Sequence, residues 1–286
     1  MDWVYLNGAF VEPANAMVSV SDRGFLLGDA CYEATPYYGG KALCLEGHLS
    51  RLEAGLQSLR IPYDVGQLAQ VQQALIERNG LTGAPLSMVY AHVTRGAAPR
   101  SHGFPTPAVE PTVYLFAKEV QRSTREDFEK GYRAITHDDE RWAKPFIKTT
   151  NLLPNVIAQQ SANEAGAHDV IFHRANRVTE GTHNNVFIVS GGTLITAPAD
   201  DWILHGISRQ IILEKARQAG IETQERDIDL TEVFDADEVF FTGTTTEVRP
   251  TVEVDGRRIG AGSAGQVTRA MYRSYCLEAG AESVIG

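Results

Sequence analysis

The sequence predicts an α+β protein of two domains, with antiparallel or mixed sheets and packed helices. The chain has 286 residues, enough for one large core or two modest ones. Its β-prone runs come mostly as pairs joined by tight turns, and such hairpins outnumber strand–helix–strand units, which argues against a doubly wound sheet. A polar, weakly periodic stretch at 119–131, EVQRSTREDFEKG, marks the connection between a smaller domain, 1–118, and a larger one, 132–286.

The elements follow in chain order. WVYLNGAFVE holds two short strands around Asn7-Gly8, a strong two-residue hairpin signal. Residues 31–45 form a second hairpin around Gly39-Gly40, whose first strand Pro36 makes an edge or a bend. Leu49, Leu52, Leu56 and Leu59 lie at helical spacing, as do Leu68, Val71, Leu75 and Ile76, where Asn79-Gly80 ends the helix. LSMVYAHVTRG and PTVYLFAKEV are strands. Beyond the connection, NVIAQQSANEAGA is a helix entered through Pro154. DVIFHR and RVTEG flank an Ala175-Asn176 turn, and VFIVSGGTLITA is a hairpin around Gly191-Gly192. Ile207, Ile211, Ile212 and Ala216 share a helix face, with Gly220 as the stop. DEVFFTG is a strand, VEVDGRRIG a hairpin through Asp255-Gly256, and GSAGQVTRAMYRSYCLEAG the closing helix.

Composition excludes several classes. Lys plus Arg number 26 against 36 Asp plus Glu, a net charge of -10 with no dense basic run, so nucleic acid is not an expected partner. No run approaches a membrane span, and MDWVYLNGAF lacks the basic and apolar regions of a secretion signal. Cys31, Cys44 and Cys276 are far apart without CxxC spacing, and the 8 histidines form no HxxxH pattern. No metal site and a reducing cytoplasm are expected.

Four stretches carry the chemistry. In FIKTTNLLPN, Lys148 stands in apolar and hydroxylic company; an isolated lysine usually snorkels from a strand end. ILHGISRQ places Gly206 and Ser208 at a helix start, which is either an ordinary cap or a phosphate site. FFTGTTTEVRP follows a strand with Gly243 and Thr244–Thr246, either a polar turn or a second anion cradle. In VTEGTHNNVF, Glu180 either caps a strand end or meets a cationic ring nitrogen. None decides alone. Together they ask for a phosphorylated, cationic heterocycle beside an amine, which describes pyridoxal phosphate.

At these residues the chain resembles the fold-type IV pyridoxal-phosphate enzymes: D-amino acid aminotransferases, branched-chain aminotransferases and aminodeoxychorismate lyases. The resemblance runs from SDRGFLLGDACYE to the C-terminal helix, through IKTTNLLPN, VTEGTHNNVF, ILHGISR and TGTTTEVRP in that order. It implies that Lys148, placed in the larger domain, is the catalytic residue and carries the cofactor as a Schiff base. It implies that Glu180 faces the pyridine nitrogen and that Arg51, in HLSRLEAG, grips the phosphate with Ile207, Ser208, Thr244 and Thr245. The released Lys148 amine then moves the proton from substrate Cα, and a second keto acid reverses the sequence.

Substrate choice turns on the carboxylate. Arg100 and His102 alternate in HVTRGAAPRSHGFP, so an extended segment projects both the same way and suits them to a carboxylate, although two polar residues of a surface loop would read alike. The resemblance to D-amino acid aminotransferases adds Tyr32, after Gly28-Asp29, to this trap, and implies a homodimer in which Arg100 and His102 reach the neighbouring site. Ala34 and Pro36 depart from the bulkier residues of relatives on the pocket strand, and His183-Asn184 replace the usual small hydroxyl residues. The expectation is transamination between D-amino acids, such as D-alanine or D-glutamate, and 2-oxo acids. Alternatives are an R-selective amine transaminase, an L-branched-chain aminotransferase, an aminodeoxychorismate lyase, or a catalytically idle carrier of the cofactor.

Overall fold

The computed structural model describes residues 3–286; residues 1 and 2, where the first expected domain begins, lie outside the described residues. The chain divides into two compact units. The first runs to Gln121 and takes in Ile147–Asn151; the second comprises Arg122–Phe146 and Leu152–Gly286.

In the first unit, β1 (Val4–Leu6) and β2 (Ala9–Val11) form the Asn7-Gly8 hairpin, with both turn residues at positive φ, 46° and 95°. Then come α1 (Arg23–Leu27), β3 (Ala30–Tyr38), β4 (Lys41–Ala42), α2 (Leu45–Leu59), α3 (Leu68–Arg78), β5 (Ser87–Thr94) and β6 (Val113–Glu119). The sheet is antiparallel, in the order β2-β1-β6-β5-β3-β4. The leucine stripe of α2 buries Leu52 and Leu56, and that of α3 buries Leu68, Leu75 and Ile76. Each such side chain contributes about 1.5–3 kcal/mol. β4 reaches only Tyr37 and Tyr38, so Pro36 falls where little ladder is asked of it on that side.

The lysine-bearing segment lies along β3. Tyr32 N–H donates to Lys148 O at 3.0 Å, and Cys31 and Thr149 form a bridge. The domain boundaries expected from sequence placed Lys148 in 132–286. Contacts group residues 147–151 with the first unit instead. The physical reason is that β4 is too short to cover the N-terminal half of β3, and its exposed backbone groups take up the segment.

The second unit opens within the stretch expected to be a connection. There, α4 (Arg125–Lys130) is fixed by a capping box between Thr124 and Asp127 and buries Phe128. It continues with β7 (Tyr132–Asp138), α5 (Leu153–Glu164), β8 (Asp169–Arg174), β9 (Arg177–Val178), β10 (Asn185–Ser190), β11 (Thr193–Thr196), α6 (Ile207–Gln218), β12 (Thr223–Glu225), α7 (Leu230–Asp235), β13 (Glu238–Gly243), β14 (Glu247–Val254), β15 (Arg257–Arg258) and α8 (Gln266–Glu278). The sheet order is β12-β11-β10-β13-β14-β7-β8-β9, with β15 on β14. It is mixed, because β7 runs parallel to both β14 and β8. β13 is apolar on both faces: Val239 and Phe241 join Val186, Ile188 and Val254 in one core, while Phe240 stacks on Phe187 at 5.0 Å. Helices α6 and α8 pack against each other and onto β13.

Candidate active site

Within the first unit, β3 sorts its side chains by the two-residue period. Tyr32 and Ala34 are half-buried on one face, while Glu33 points into the core. The Lys148 Nζ lies over the Tyr32 ring, 4.3 Å from its centroid, an arrangement that favours a cation there. Tyr32 in turn stacks on Tyr90.

Arg51 projects from α2 onto Glu33. Its Nε and Nη2 donate to the two carboxylate oxygens at 2.9 and 2.8 Å, and His48 Nδ1 lies 3.1 Å from Oε1. Burial works to raise the Glu33 carboxyl, yet Arg51 and His48 overcome it and hold it well below the usual carboxylate range. The guanidinium expected to grip a phosphate is thus held by a buried anion. Sequence reading did not find Glu33 or His48; their spacing on a strand and the next helix carries no signal by itself.

Arg100 and His102 are exposed and lie in bends of the loop between β5 and β6, not on the extended segment expected. A bend breaks the alternation that an extended chain would give. The loop is tied down from within the unit: buried Arg23 donates through Nη1 to Ser101 O at 2.6 Å, and the Arg95 guanidinium covers the Phe104 ring at 3.7 Å. Among the described residues, no hydrogen bond or ring contact joins Tyr32 to Arg100 or His102.

In the second unit, Glu180 follows β9 and is 4% exposed. Its Oε2 accepts from Leu204 N–H and from Asn185 Nδ2, both at 3.0 Å, and its Oε1 accepts from Arg141 Nη1. Arg141 is shared. It gives Asp139 two bonds of 2.8 Å, through Nε and Nη2, and only one to Glu180. The consequences diverge. Burial pushes the Glu180 carboxyl up, with Arg141 and the Leu204 N–H pulling against it. Burial also raises Asp139, but Arg141 and Arg174 bring it down. One guanidinium between two buried carboxylates leaves Glu180 short of positive charge, the condition under which a protonated ring nitrogen is bound well. Arg141 and Asn185 were not singled out from sequence; Arg141 lies 39 positions from its partner.

Close to Glu180 begins α6. Gly206 caps it without any side-chain bond, so the first-turn amides, Ile207 and Ser208 among them, face outward at the positive helix end. A β-carbon at Gly206 would press into Asn185 Oδ1. β10 pairs with β13 in a register that sets Asn185 opposite Thr242, so the Thr244–Thr246 turn stands at the same end of the sheet as Glu180. There the Thr246 hydroxyl is buried without a hydrogen-bond partner. His183 is exposed and bonds Thr182 Oγ1, at 2.9 Å, while Asn184 is buried and donates to Asp169 of β8 at 2.7 Å. An uncapped helix start, an unpartnered hydroxyl and a charge-deficient carboxylate are donors and acceptor that fit pyridoxal phosphate. Among the described residues, no group of three or more His, Cys, Asp or Glu could hold a metal ion, and no helix is long and apolar enough to cross a membrane.

Comparison with known proteins identifies the family. The chain is 36% identical over 277 residues to the D-alanine aminotransferase of Staphylococcus haemolyticus, covering 96% of this chain and 97% of that protein. It is 37% identical over 279 residues to the D-alanine aminotransferase of Listeria monocytogenes serotype 1/2a, covering 96% and 95%. Among solved structures, the T.th. branched-chain amino acid aminotransferase with pyridoxamine 5'-phosphate superposes with a TM-score of 0.89 at 27% identity, covering 99% of this chain and 96% of that one. Residues 30–254 match the family described as Amino-transferase class IV. The two-unit α+β architecture, the order of the motifs and this match together identify the chain as a member of the class IV aminotransferases.

Proposed function

We propose that this aminotransferase moves the amino group of D-amino acids, D-alanine and D-glutamate among them, to 2-oxo acids with pyridoxal phosphate as cofactor. The observation that carries the reading is the full-length likeness to D-alanine aminotransferases at 36% identity in a chain that also holds Tyr32, Arg100 and His102.

Bound pyridoxal phosphate supplies an electrophilic carbon and an electron sink for the electrons released at substrate Cα. The residues divide the remaining work. Arg51, the Ile207 and Ser208 amides and the Thr244 and Thr245 donors hold the phosphate. Glu180 holds the ring nitrogen in its protonated form. Lys148 would hold the cofactor covalently and, as a free amine, would take up the proton at substrate Cα. Tyr32, Arg100 and His102 hold the substrate carboxylate. In this reading the protein is a homodimer that exchanges the Arg100–His102 loop; the exposed Leu153, Val156 and Ile157 on α5 supply apolar area of the kind an interface covers. Three free thiols fit a reducing cytoplasm.

Borohydride reduction of the purified protein should fix the cofactor's mass on the peptide carrying Lys148, and Lys148→Ala should bind cofactor while losing nearly all turnover. A tag on another lysine, or an active variant, removes the assignment. The structural likeness to branched-chain aminotransferases supports a second reading, transamination of L-leucine and its kin. Enantiomer-resolved assays with alanine, glutamate and leucine separate the two.

A further inference from the structure

We infer that Glu247, through its ion pair with Arg122, is a positioning residue that sets the Thr244–Thr246 turn for the cofactor phosphate. This rests on the reading that the turn binds that phosphate. The register of β13 and β14 pairs Gly243 with Glu247, leaving Thr244, Thr245 and Thr246 as a three-residue loop. Such loops close on a residue in the left-handed region, where glycine or asparagine is the ordinary choice. Here the residue is Glu247, with φ 55°, and it is 2% exposed. A β-carbon disfavours that conformation and burial disfavours that charge. Two unfavourable features at one residue persist where its surroundings demand its side chain.

The demand comes from Arg122. Its Nε donates to Glu247 Oε1 at 2.9 Å. Its remaining donors reach the Glu282 carbonyl at 2.9 Å, the Tyr272 hydroxyl at 3.2 Å and Cys276 Sγ at 3.3 Å, fastening it to α8 and the chain that follows. The other foot of the turn is fixed by close packing. A β-carbon at Gly243 would lie 3.3 Å from each of His183 O, Asn184 Cβ and Thr246 Oγ1. With both feet anchored, the threonine donors between them are presented without reorganisation when an anion arrives.

The test compares apo-enzyme binding of pyridoxal phosphate with that of pyridoxal, which shares the aldehyde and ring but lacks the phosphate. In Glu247→Gln and Arg122→Met, the Kd for pyridoxal phosphate should rise about tenfold or more, the value of one hydrogen bond to a charged group. The Kd for pyridoxal should stay within about twofold. Arg122→Lys, which keeps the charge, should recover part of the loss. Equal losses for the two aldehydes would mark the pair as general scaffolding and overturn the inference, as would unchanged binding in Glu247→Gln. A Thr244→Ala/Thr245→Ala variant reports on the underlying reading. If it too leaves the phosphate discrimination intact, the phosphate is held elsewhere; if it alone destroys discrimination, only the role of Glu247 fails.

Discussion

Replacing Glu33 with glutamine removes one negative charge from a place the protein has closed around it. Glu33 is 1% exposed; its oxygens accept two bonds from Arg51 and one from the Ala34 N–H, and His48 Nδ1 lies within 3.1 Å. Losing one member of such a buried pair costs about 3–5 kcal/mol, and glutamine, which keeps an acceptor for Arg51, should fall near 3. That is a large part of the roughly 5–15 kcal/mol that holds a domain folded. The pH dependence gives the sharper check. The folded-state pKa of Glu33 lies below its unfolded value, so the unfolded chain takes up the proton first as pH falls. The stability it contributes is complete above the unfolded pKa, about 4.3, and declines by about 1.4 kcal/mol per pH unit below it. Urea unfolding of the parent and Glu33→Gln should therefore differ by a constant amount between about pH 7 and pH 5, and the gap should narrow by about 1.4 kcal/mol for each pH unit below about pH 4. A variant as stable as the parent at neutral pH, or a gap that persists undiminished into acid, would refute the argument that Glu33 is an ionised anchor for Arg51.

Arg141→Met should be destabilised by about 3–5 kcal/mol, and more at about pH 8 than at about pH 5. The Glu180 pKa is already raised in the folded state, so its contribution to stability falls as pH rises through that value, and losing Arg141 widens the window. Urea midpoints at the two pH values check this; equal deficits would count against it. Gly206→Ala drives a methyl into Asn185 Oδ1; it should cost about 1–3 kcal/mol and weaken pyridoxal phosphate binding in a titration of the apo-enzyme, whereas an unperturbed variant would show that the start of α6 has room to move. Arg100→Ala should raise KM for D-alanine about 10–100-fold with a smaller effect on an R-amine lacking a carboxylate, and equal effects in steady-state assays would remove Arg100 from carboxylate binding.

Much of the fold was legible because its signals are local. The Asn7-Gly8, Gly191-Gly192 and Asp255-Gly256 turns are written in residues that accept positive φ, and the stripes on α2, α3 and α6 need only a period. β7 was missed for the converse reason. It is a central strand, yet only Ala134 along it is buried, so it shows neither alternation nor an apolar run. Short α1 and α7 escaped as well, since five and six residues carry too little periodicity. Residue types within single motifs pointed to Lys148 in the first unit and to Glu180, Ser208 and the threonine turn in the second. The bend at Arg100–His102 and the pairing of the lysine segment with β3 did not show in those motifs.

The amino-acid sequence by itself determined the two-domain α+β class, the kinds of elements and the motifs that mark a class IV aminotransferase, because propensity, turn chemistry and motif order act over a few residues. Only the tertiary structure decided which charges meet: Arg51 with Glu33, Arg141 with both Asp139 and Glu180, Arg122 with Glu247. Such pairs span 125 positions in the last case, and it is the packing of strands and helices, not any rule of spacing, that closes the distance and strips away the water that would otherwise screen them.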